Sequence, residues 1–215
     1  MAPAPEGFCY FPGFLDEAAQ AALAAELRAL AAAAPFYRPT MPKSGRPFSV
    51  RMTNAGSHGW FSDSAGYRYV PRHPETGAPW PAIPEALLGL WQTVAAYPAA
   101  PECCLVNYYD PEARMGLHRD ADEETFAAPV VSLSLGDSAV FRIGGPERRD
   151  STTSLKLHSG DVMILSGPAR LAYHGIDRVL GGSSRLLARH GWPGGGRLNI
   201  TLRRVTRPPE ETEAG

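Results

Sequence analysis

The stretch Arg197-Leu-Asn-Ile-Thr-Leu-Arg203 decides how the rest of the chain is interpreted. It alternates strictly between polar and apolar residues, which predicts a β-strand with two unlike faces. The polar face would carry Arg197, Asn199, Thr201 and Arg203. One interpretation is an ordinary amphipathic strand with this face in water. The other is a strand whose polar face points into a barrel, where two guanidinium groups require anions because a buried unpaired charge is very costly.

The sequence around this stretch predicts more strands. From residue 103 onward, short apolar runs are separated by turn signals such as Gly136-Asp137 and Ser159-Gly160. Many short strands at this spacing predict a sandwich or a barrel. The predicted strands are 104–109, 129–135, 138–143, 153–158, 161–165, 170–174 and 197–205.

The first hundred residues predict helices and irregular structure. Asp16 is a suitable N-cap for a helix over about 16–34. A second helix is predicted over about 84–97, with Pro84 near its start. The stretch 36–82 between them is rich in Gly, Pro and aromatic residues, which is typical of a lid or a binding surface. Short extended pieces are predicted at 8–11, 48–53 and 67–70.

Composition narrows the class of protein. The 215 residues are 44% hydrophobic and 20% charged, as in an ordinary soluble globular protein, and the net charge of −1 gives no overall attraction to nucleic acid or membrane. The three cysteines form an odd set without metal spacing, so we expect a reducing compartment rather than a disulfide framework. No apolar stretch is long enough to cross a bilayer. We expect a cytoplasmic protein and a monomer.

A metal site is predicted from three residues. In His118-Arg-Asp120, two ligand side chains share one face of an extended segment. Alone this motif is weak, and the acidic residues 122–124 that follow favour a solvent-exposed loop. His174, at the end of an apolar stretch, completes the set. Two histidines and one carboxylate match the facial triad of non-haem iron oxygenases, which leaves open coordination positions.

A cosubstrate site follows from the inward-facing interpretation of 197–203. A small dicarboxylate would satisfy both arginines through charge-assisted bonds. 2-Oxoglutarate is such a dicarboxylate, and its 2-keto acid end chelates iron. Asn107 and Tyr109 lie two residues apart on a predicted strand and could donate to the same ligand. The predicted contacts are therefore Asn107, Tyr109, Arg197, Asn199, Thr201 and Arg203.

These residues carry a family resemblance over nearly the whole chain. The sequence resembles the AlkB family of iron(II)/2-oxoglutarate-dependent dioxygenases. The matching pieces include Gly59-Trp60, Gly66-Tyr67-Arg-Tyr69, Asn107-Tyr-Tyr109, His118-Arg-Asp120, His158-Ser-Gly-Asp161, Tyr173-His-Gly175 and Arg197–Arg203. The Arg-x-Asn-x-Thr-x-Arg strand together with His-x-Asp…His is the most specific of them.

The resemblance implies a fold and a domain organisation. The fold is α+β, mainly β: a double-stranded β-helix, or jelly roll, with N-terminal helices and a nucleotide-recognition lid. Residues 1–100 would be an N-terminal extension with helices and lid, 101–207 the dioxygenase core, and 208–215 a flexible tail.

The resemblance also implies direct-reversal repair of alkylated bases such as 1-methyladenine and 3-methylcytosine in DNA. The cofactors would be Fe(II), 2-oxoglutarate and O2, and the products formaldehyde, succinate and CO2. His118, Asp120 and His174 would bind the metal, and His118 and Trp60 would sandwich a base flipped out of its stack. The implied substrate contacts are Trp60, Tyr67, Arg68, Tyr69, Asp122 and Arg148. Asp122 would meet the positive charge of the methylated base.

Two positions depart from the pattern of the family's bacterial representative. Leu165 stands where that protein has a tryptophan, and Arg119, between two predicted ligands, stands where it has an uncharged side chain. The first departure bears on packing around the cosubstrate, and the second bears on the charge preference for the substrate.

Three alternatives stay open at this point. A zinc hydrolase also uses two histidines and a carboxylate, but it leaves the paired arginines of 197–203 without a role. The same oxygenase chemistry could act on RNA, a protein or a small molecule, and the DNA could be single- or double-stranded. A binding module without catalysis is the third alternative, and the aromatic residues of the lid could also form a small satellite core.

Overall fold

The computed structural model describes residues 4–208. Its helices are α1 (Glu17–Ala33), α2 (Glu85–Val94), α3 (Leu186–Arg189) and one 3-10 helix (Gly167–Leu171). Its strands are β1 (Phe8–Phe11), β2 (Arg51–Gly56), β3 (Gly59–Asp63), β4 (Gly66–Val70), β5 (Cys103–Tyr109), β6 (Met115–His118), β7 (Val130–Gly136), β8 (Ser138–Ile143), β9 (Thr153–Leu157), β10 (Val162–Leu165), β11 (His174–Leu180) and β12 (Arg197–Arg203).

Two antiparallel sheets form a jelly roll, as predicted. The major sheet has the order β1-β10-β7-β12-β5-β2, and the minor sheet has the order β6-β11-β8-β9. Strand β12 lies inside the major sheet and pairs along its whole length with both β5 and β7. A β-strand flanked on both sides has no free backbone edge, so its side chains are held in a fixed register.

The two faces of β12 meet two different cores. Leu198, Ile200 and Leu202 pack in the cluster that joins the major sheet to α1 and α2. The polar face points the other way, into the space between the sheets, where Arg197 is completely buried. The alternative of a strand with its polar face in water is therefore wrong.

The N-terminal part is built into the same sheet. Helix α1 begins at the predicted N-cap, where the carboxylate of Asp16 accepts a hydrogen bond from the backbone N–H of Ala19 at 2.8 Å. Strands β1 and β2 form the two edges of the major sheet. The division into an extension and a core at residue 100 stays a prediction, and the tail, apart from Pro208, lies outside the described residues.

One predicted strand is wrong. Residues 170–174 were expected to be extended, but the chain forms the 3-10 helix Gly167–Leu171 and strand β11 begins only at His174. Pro168 lies in the first turn of this helix, where its missing N–H is not needed and its fixed φ favours the helical turn. Strands β3 and β6 and residues 175–180 of β11 are not among the predicted strands. Among residues 4–208, no helix has both the length and the apolar character needed to span a membrane.

Strands β3 and β4 form a separate hairpin, here called the flap (Gly59–Val70). Trp60 lies opposite Tyr69 in its register, and the turn is closed at Gly66, whose φ of +117° favours glycine. Gly59 lies so close to the ring of Trp80 that a Cβ atom would be 2.3 Å from it. The base of the flap is thus fixed against the core, while its tip projects from it.

Candidate metal and substrate site

His118, Asp120 and His174 come together at one end of the minor sheet. His118 ends β6, His174 begins β11, and their Cα atoms are direct partners across the sheet. One ligand atom from each of the three residues lies within 4.8 Å of the others. The Nε2 atoms of the histidines each lie 3.8 Å from an oxygen of Asp120.

The two histidines are oriented by backbone carbonyls. Nδ1 of His118 lies 3.0 Å from the carbonyl of Gly116, and Nδ1 of His174 lies 2.9 Å from that of Ala172. Since a carbonyl can only accept, Nδ1 carries a proton in each ring, and Nε2 is the atom that can bind a metal. A hydrogen bond from Nδ1 to a backbone carbonyl is common among metal-binding histidines.

The surrounding charges keep this centre ready for a cation. Burial acts to raise the pKa of Asp120, but Arg203 and the two histidines outweigh it and hold that pKa well below its usual range. Burial, together with the neighbouring His118, lowers the pKa of His174 to about 4. An ionised carboxylate and two imidazole rings form a donor set that suits iron(II).

The two arginines of β12 have different surroundings. Arg203 forms ion pairs with Asp120 at 2.9 Å and with Glu123 at 3.2 Å. Arg197 donates to Ser134 Oγ at 2.8 Å and to the carbonyl of Asp137 at 3.3 Å. Within residues 4–208, no carboxylate lies within ion-pair distance of Arg197, and its Nε is buried without a partner. Burial lowers the pKa of Arg197 to about 10.

Amides and hydroxyls line the wall between these arginines. Asn107 donates to Asn199 Oδ1 at 3.3 Å, and Asn199 donates to Ser132 Oγ at 2.7 Å. Thr201 donates to Asn199 Oδ1 at 3.3 Å. The Oδ1 atom of Asn107 is buried without a hydrogen-bond partner. Five of the six residues predicted to bind the cosubstrate line one cavity, whereas Arg197 is completely buried and does not line it.

The same cavity extends past the three metal-ligand candidates to the flap. Trp60 and Tyr67 line its mouth, and their rings stack with centroids 5.6 Å apart. The indole N–H of Trp60 donates to Asp122 Oδ2 at 2.8 Å. Tyr67 is half exposed. An aromatic ring, a carboxylate and a metal-ligand candidate, His118, therefore border one opening.

Three residues predicted as substrate contacts do not line the cavity. Arg68 forms a two-pronged ion pair with Asp63 at 2.7 and 2.8 Å, which lowers the pKa of that carboxyl to about 2. Tyr69 donates its hydroxyl to Glu123 at 2.6 Å. Arg148 lies in an exposed loop with its guanidinium 5.8 Å from the centre of the Tyr173 ring. Nearby intramolecular partners hold the first two side chains away from the opening.

Several residues of the site were missed or misjudged in the sequence. Glu123 was expected in a solvent-exposed acidic loop, yet its side chain is completely buried and pairs with Arg170 at 3.0 Å. Arg119, at the mouth, lies 5.7 Å from the centre of the Tyr173 ring. A single arginine inside the apolar stretch 168–174 was the available signal for a buried cation.

Comparison with known proteins agrees with this geometry. A family model described as the 2OG-Fe(II) oxygenase superfamily matches residues 7–203, and the chain belongs to that class of enzymes. It is 57% identical over 201 residues to an alpha-ketoglutarate-dependent dioxygenase AlkB homolog of Caulobacter vibrioides, covering 93% of this chain and 88% of that protein. Within the class, the chain is a member of the AlkB family.

Two further similarities support the assignment. Alpha-ketoglutarate-dependent dioxygenase AlkB of Escherichia coli is 42% identical over 161 residues, which cover 73% of this chain and 74% of that protein. The solved structure of OsALKBH1 superposes with a TM-score of 0.79 at 29% identity, covering 95% of this chain and 98% of that one. The protein is therefore an iron(II)- and 2-oxoglutarate-dependent dioxygenase that uses O2, and the zinc hydrolase alternative is wrong.

Proposed function

We propose that this dioxygenase removes N-linked methyl groups from alkylated nucleobases in DNA, with 1-methyladenine and 3-methylcytosine as substrates. The main support for this proposal is the hydrogen bond from the Trp60 indole to Asp122, at the mouth of the cavity that His118 also lines. Methylation at these ring nitrogens makes the base cationic. A stacking ring for the base and a carboxylate for its charge are thus held together beside the metal-ligand candidates.

The residues of this chain fit the cofactors of the family. The two imidazole rings and the ionised Asp120 suit Fe(II). The buried Arg197, with no carboxylate of its own within residues 4–208, suits one end of a dicarboxylate. When bound, iron(II) with 2-oxoglutarate and O2 supplies oxidation of the methyl C–H bond, and the methyl group leaves as formaldehyde.

The chain itself binds and orients the substrate. The target atom cannot be reached within a base stack, so the base must be flipped out or lie in a single strand. Trp60 and His118 would hold the two faces of the base, and Asp122 would attract its positive charge. Arg119 and Arg148 both lie near the Tyr173 ring, where they could contact backbone phosphates.

The decisive experiment is a product assay on methylated oligonucleotides. The protein is incubated with iron(II), ascorbate and 2-oxoglutarate. The substrates are matched single-stranded DNA, double-stranded DNA and RNA that carry 1-methyladenine or 3-methylcytosine, and the masses of the oligonucleotide products are measured. We expect loss of the methyl group from DNA with equal amounts of formaldehyde and succinate. The His118→Ala variant should be inactive, and His190→Ala, outside the cavity, should retain activity.

Other results would redirect the proposal. Faster reaction on RNA than on either DNA would replace DNA as the substrate. Succinate formation with no change in any methylated oligonucleotide would contradict nucleobase demethylation and favour a protein or small-molecule substrate.

A further inference from the structure

A buried carboxylate connects the flap to the metal-ligand candidates. The side chain of Glu123 is completely buried and meets three groups. Its Oε2 lies 3.0 Å from Nη2 of Arg170, and its Oε1 lies 3.2 Å from Nη1 of Arg203. The same Oε1 accepts the hydroxyl of Tyr69 at 2.6 Å. Such a carboxylate is tolerated in a protein interior only because these partners surround it.

Both arginines that hold Glu123 also hold Asp120. Arg203 directs its other amino group to Asp120 Oδ2 at 2.9 Å. Arg170 donates to the backbone carbonyl of Asp120 at 2.7 Å. The two carboxylates and two guanidinium groups form a neutral buried cluster, so a displacement of Glu123 would be transmitted to the side chain and the backbone of Asp120.

The flap is bonded to the same short segment at two points. Trp60 on β3 donates to Asp122, and Tyr69 on β4 donates to Glu123. Trp60 and Tyr69 are direct partners across the hairpin. Strand β3 has additional anchors at its start, because the carbonyl of Trp60 accepts the hydroxyl of Tyr37 at 2.6 Å. The Tyr69 hydroxyl is the buried attachment of β4 to this segment.

We propose that Tyr69 and Glu123 form a latch that holds the flap closed over the cavity and couples its closure to the position of Asp120. Both are positioning residues, since neither lines the cavity. The latch itself depends only on contacts within the chain. Its effect on a bound base rests on the proposed function.

The first test compares two tyrosines that make the same kind of bond. Tyr69→Phe removes the bond to Glu123 and also the 3.2 Å bond that the Tyr69 hydroxyl accepts from Nη1 of Arg203. Tyr10→Phe removes a 2.7 Å bond from a tyrosine hydroxyl to Asp161 near the opposite edge of the major sheet. Amide hydrogen exchange over Gly59–Val70 is measured on both proteins without ligands. We expect about tenfold or faster exchange in Tyr69→Phe only, the size expected for one hydrogen bond to a charged group.

The second test measures coupling. With a methylated oligonucleotide, Tyr69→Phe should form several-fold more succinate per formaldehyde than the unchanged protein, because a loose flap permits turnover without productive substrate contact. Tyr10→Phe should keep the original ratio. Glu123→Gln should weaken binding of Mn(II), used as a redox-inert probe, by about tenfold or more, because Arg203 and Arg170 lose an anion near Asp120.

Each outcome decides between the latch and a merely structural role. The latch would be overturned if amide hydrogen exchange in the flap changed equally in Tyr69→Phe and Tyr10→Phe, or if it changed in neither variant. Unchanged Mn(II) affinity in Glu123→Gln would overturn the coupling to Asp120, and if that variant does not fold, an unchanged product ratio in Tyr69→Phe does so. Faster amide exchange of the flap in Tyr69→Phe only, together with no demethylation of any oligonucleotide by the unchanged protein, would support the latch while contradicting the proposed function.

Discussion

The two ends of the cavity are built differently. The inner end is formed by side chains on β5, β7 and β12, which pair along seven residues each, and its charges are buried. The mouth is formed by the two-stranded flap and by loops, and it includes the half-exposed ring of Tyr67. Fixed groups at the inner end suit a small cosubstrate with one shape, whereas exposed rings at the mouth suit a larger and more variable substrate.

Among substitutions at the inner end of the cavity, removal of Asp120 should cause the largest loss of activity. Asp120→Ala removes a proposed metal ligand and leaves Arg203 without one of its two anions. We expect iron-dependent succinate formation to fall below detection. Loss of one partner of a buried ion pair costs about 3–5 kcal/mol, so the thermal midpoint should also fall. Asp110→Ala, at a half-exposed carboxylate that pairs with Arg51, is the control and should change neither succinate formation nor the thermal midpoint. Iron-dependent activity in Asp120→Ala would refute the metal site.

The two arginines of β12 should separate cosubstrate binding from metal binding. Arg197→Met should raise the apparent Michaelis constant for 2-oxoglutarate about 10- to 100-fold, the range for lost hydrogen bonds to charged groups. Its Mn(II) affinity should be unchanged because Arg197 does not contact Asp120. Arg203→Met should impair both, since Arg203 pairs with Asp120 and lines the cavity. Titrations with 2-oxoglutarate and with Mn(II) measure both effects. Equal changes in the two variants would mean that the arginines do not divide cosubstrate binding from metal binding.

At the mouth, loss of a stacking ring should affect only the larger substrate. Trp60→Ala should weaken binding of a methylated oligonucleotide by about 5- to 150-fold, which corresponds to 1–3 kcal/mol for one stacked base. Binding of 2-oxoglutarate should not change. Trp60→Phe keeps a ring but loses the N–H to Asp122, so an intermediate loss is expected. Fluorescence anisotropy of the labelled oligonucleotide measures these effects, and equal loss of both ligands would indicate misfolding.

The smallest effect is expected for Arg68. Its guanidinium is paired with Asp63 within the flap, at an exposed surface where such pairs contribute little. Arg68→Ala should change oligonucleotide affinity by less than about threefold. A larger loss in the same binding assay would restore Arg68 as a substrate contact and show that its pair with Asp63 opens on binding.

Local patterns predicted the parts of the site that depend on local geometry. Strict alternation in 197–203 gave the strand and its faces, and the His-x-Asp spacing placed two donors together. Tyr69 and Glu123 could not be assigned in this way, because they hydrogen-bond to each other and more than fifty residues separate them in the sequence. An acidic run such as 122–124 has the same composition at a surface and beneath a flap, and only the tertiary fold decides which carboxylate is buried.

Arg197 has no ion-pair partner within residues 4–208, and this bears on how well the protein resists proteolysis. Without a dicarboxylate, Arg197 is a buried cation that has no carboxylate of residues 4–208 within ion-pair distance. A ligand that binds only the folded chain stabilises it by about 2.7 kcal/mol at a concentration 100 times its dissociation constant. Resistance of the protein to proteolysis would therefore rise and fall with the cellular supply of 2-oxoglutarate, so that abundance as well as turnover would follow that metabolite.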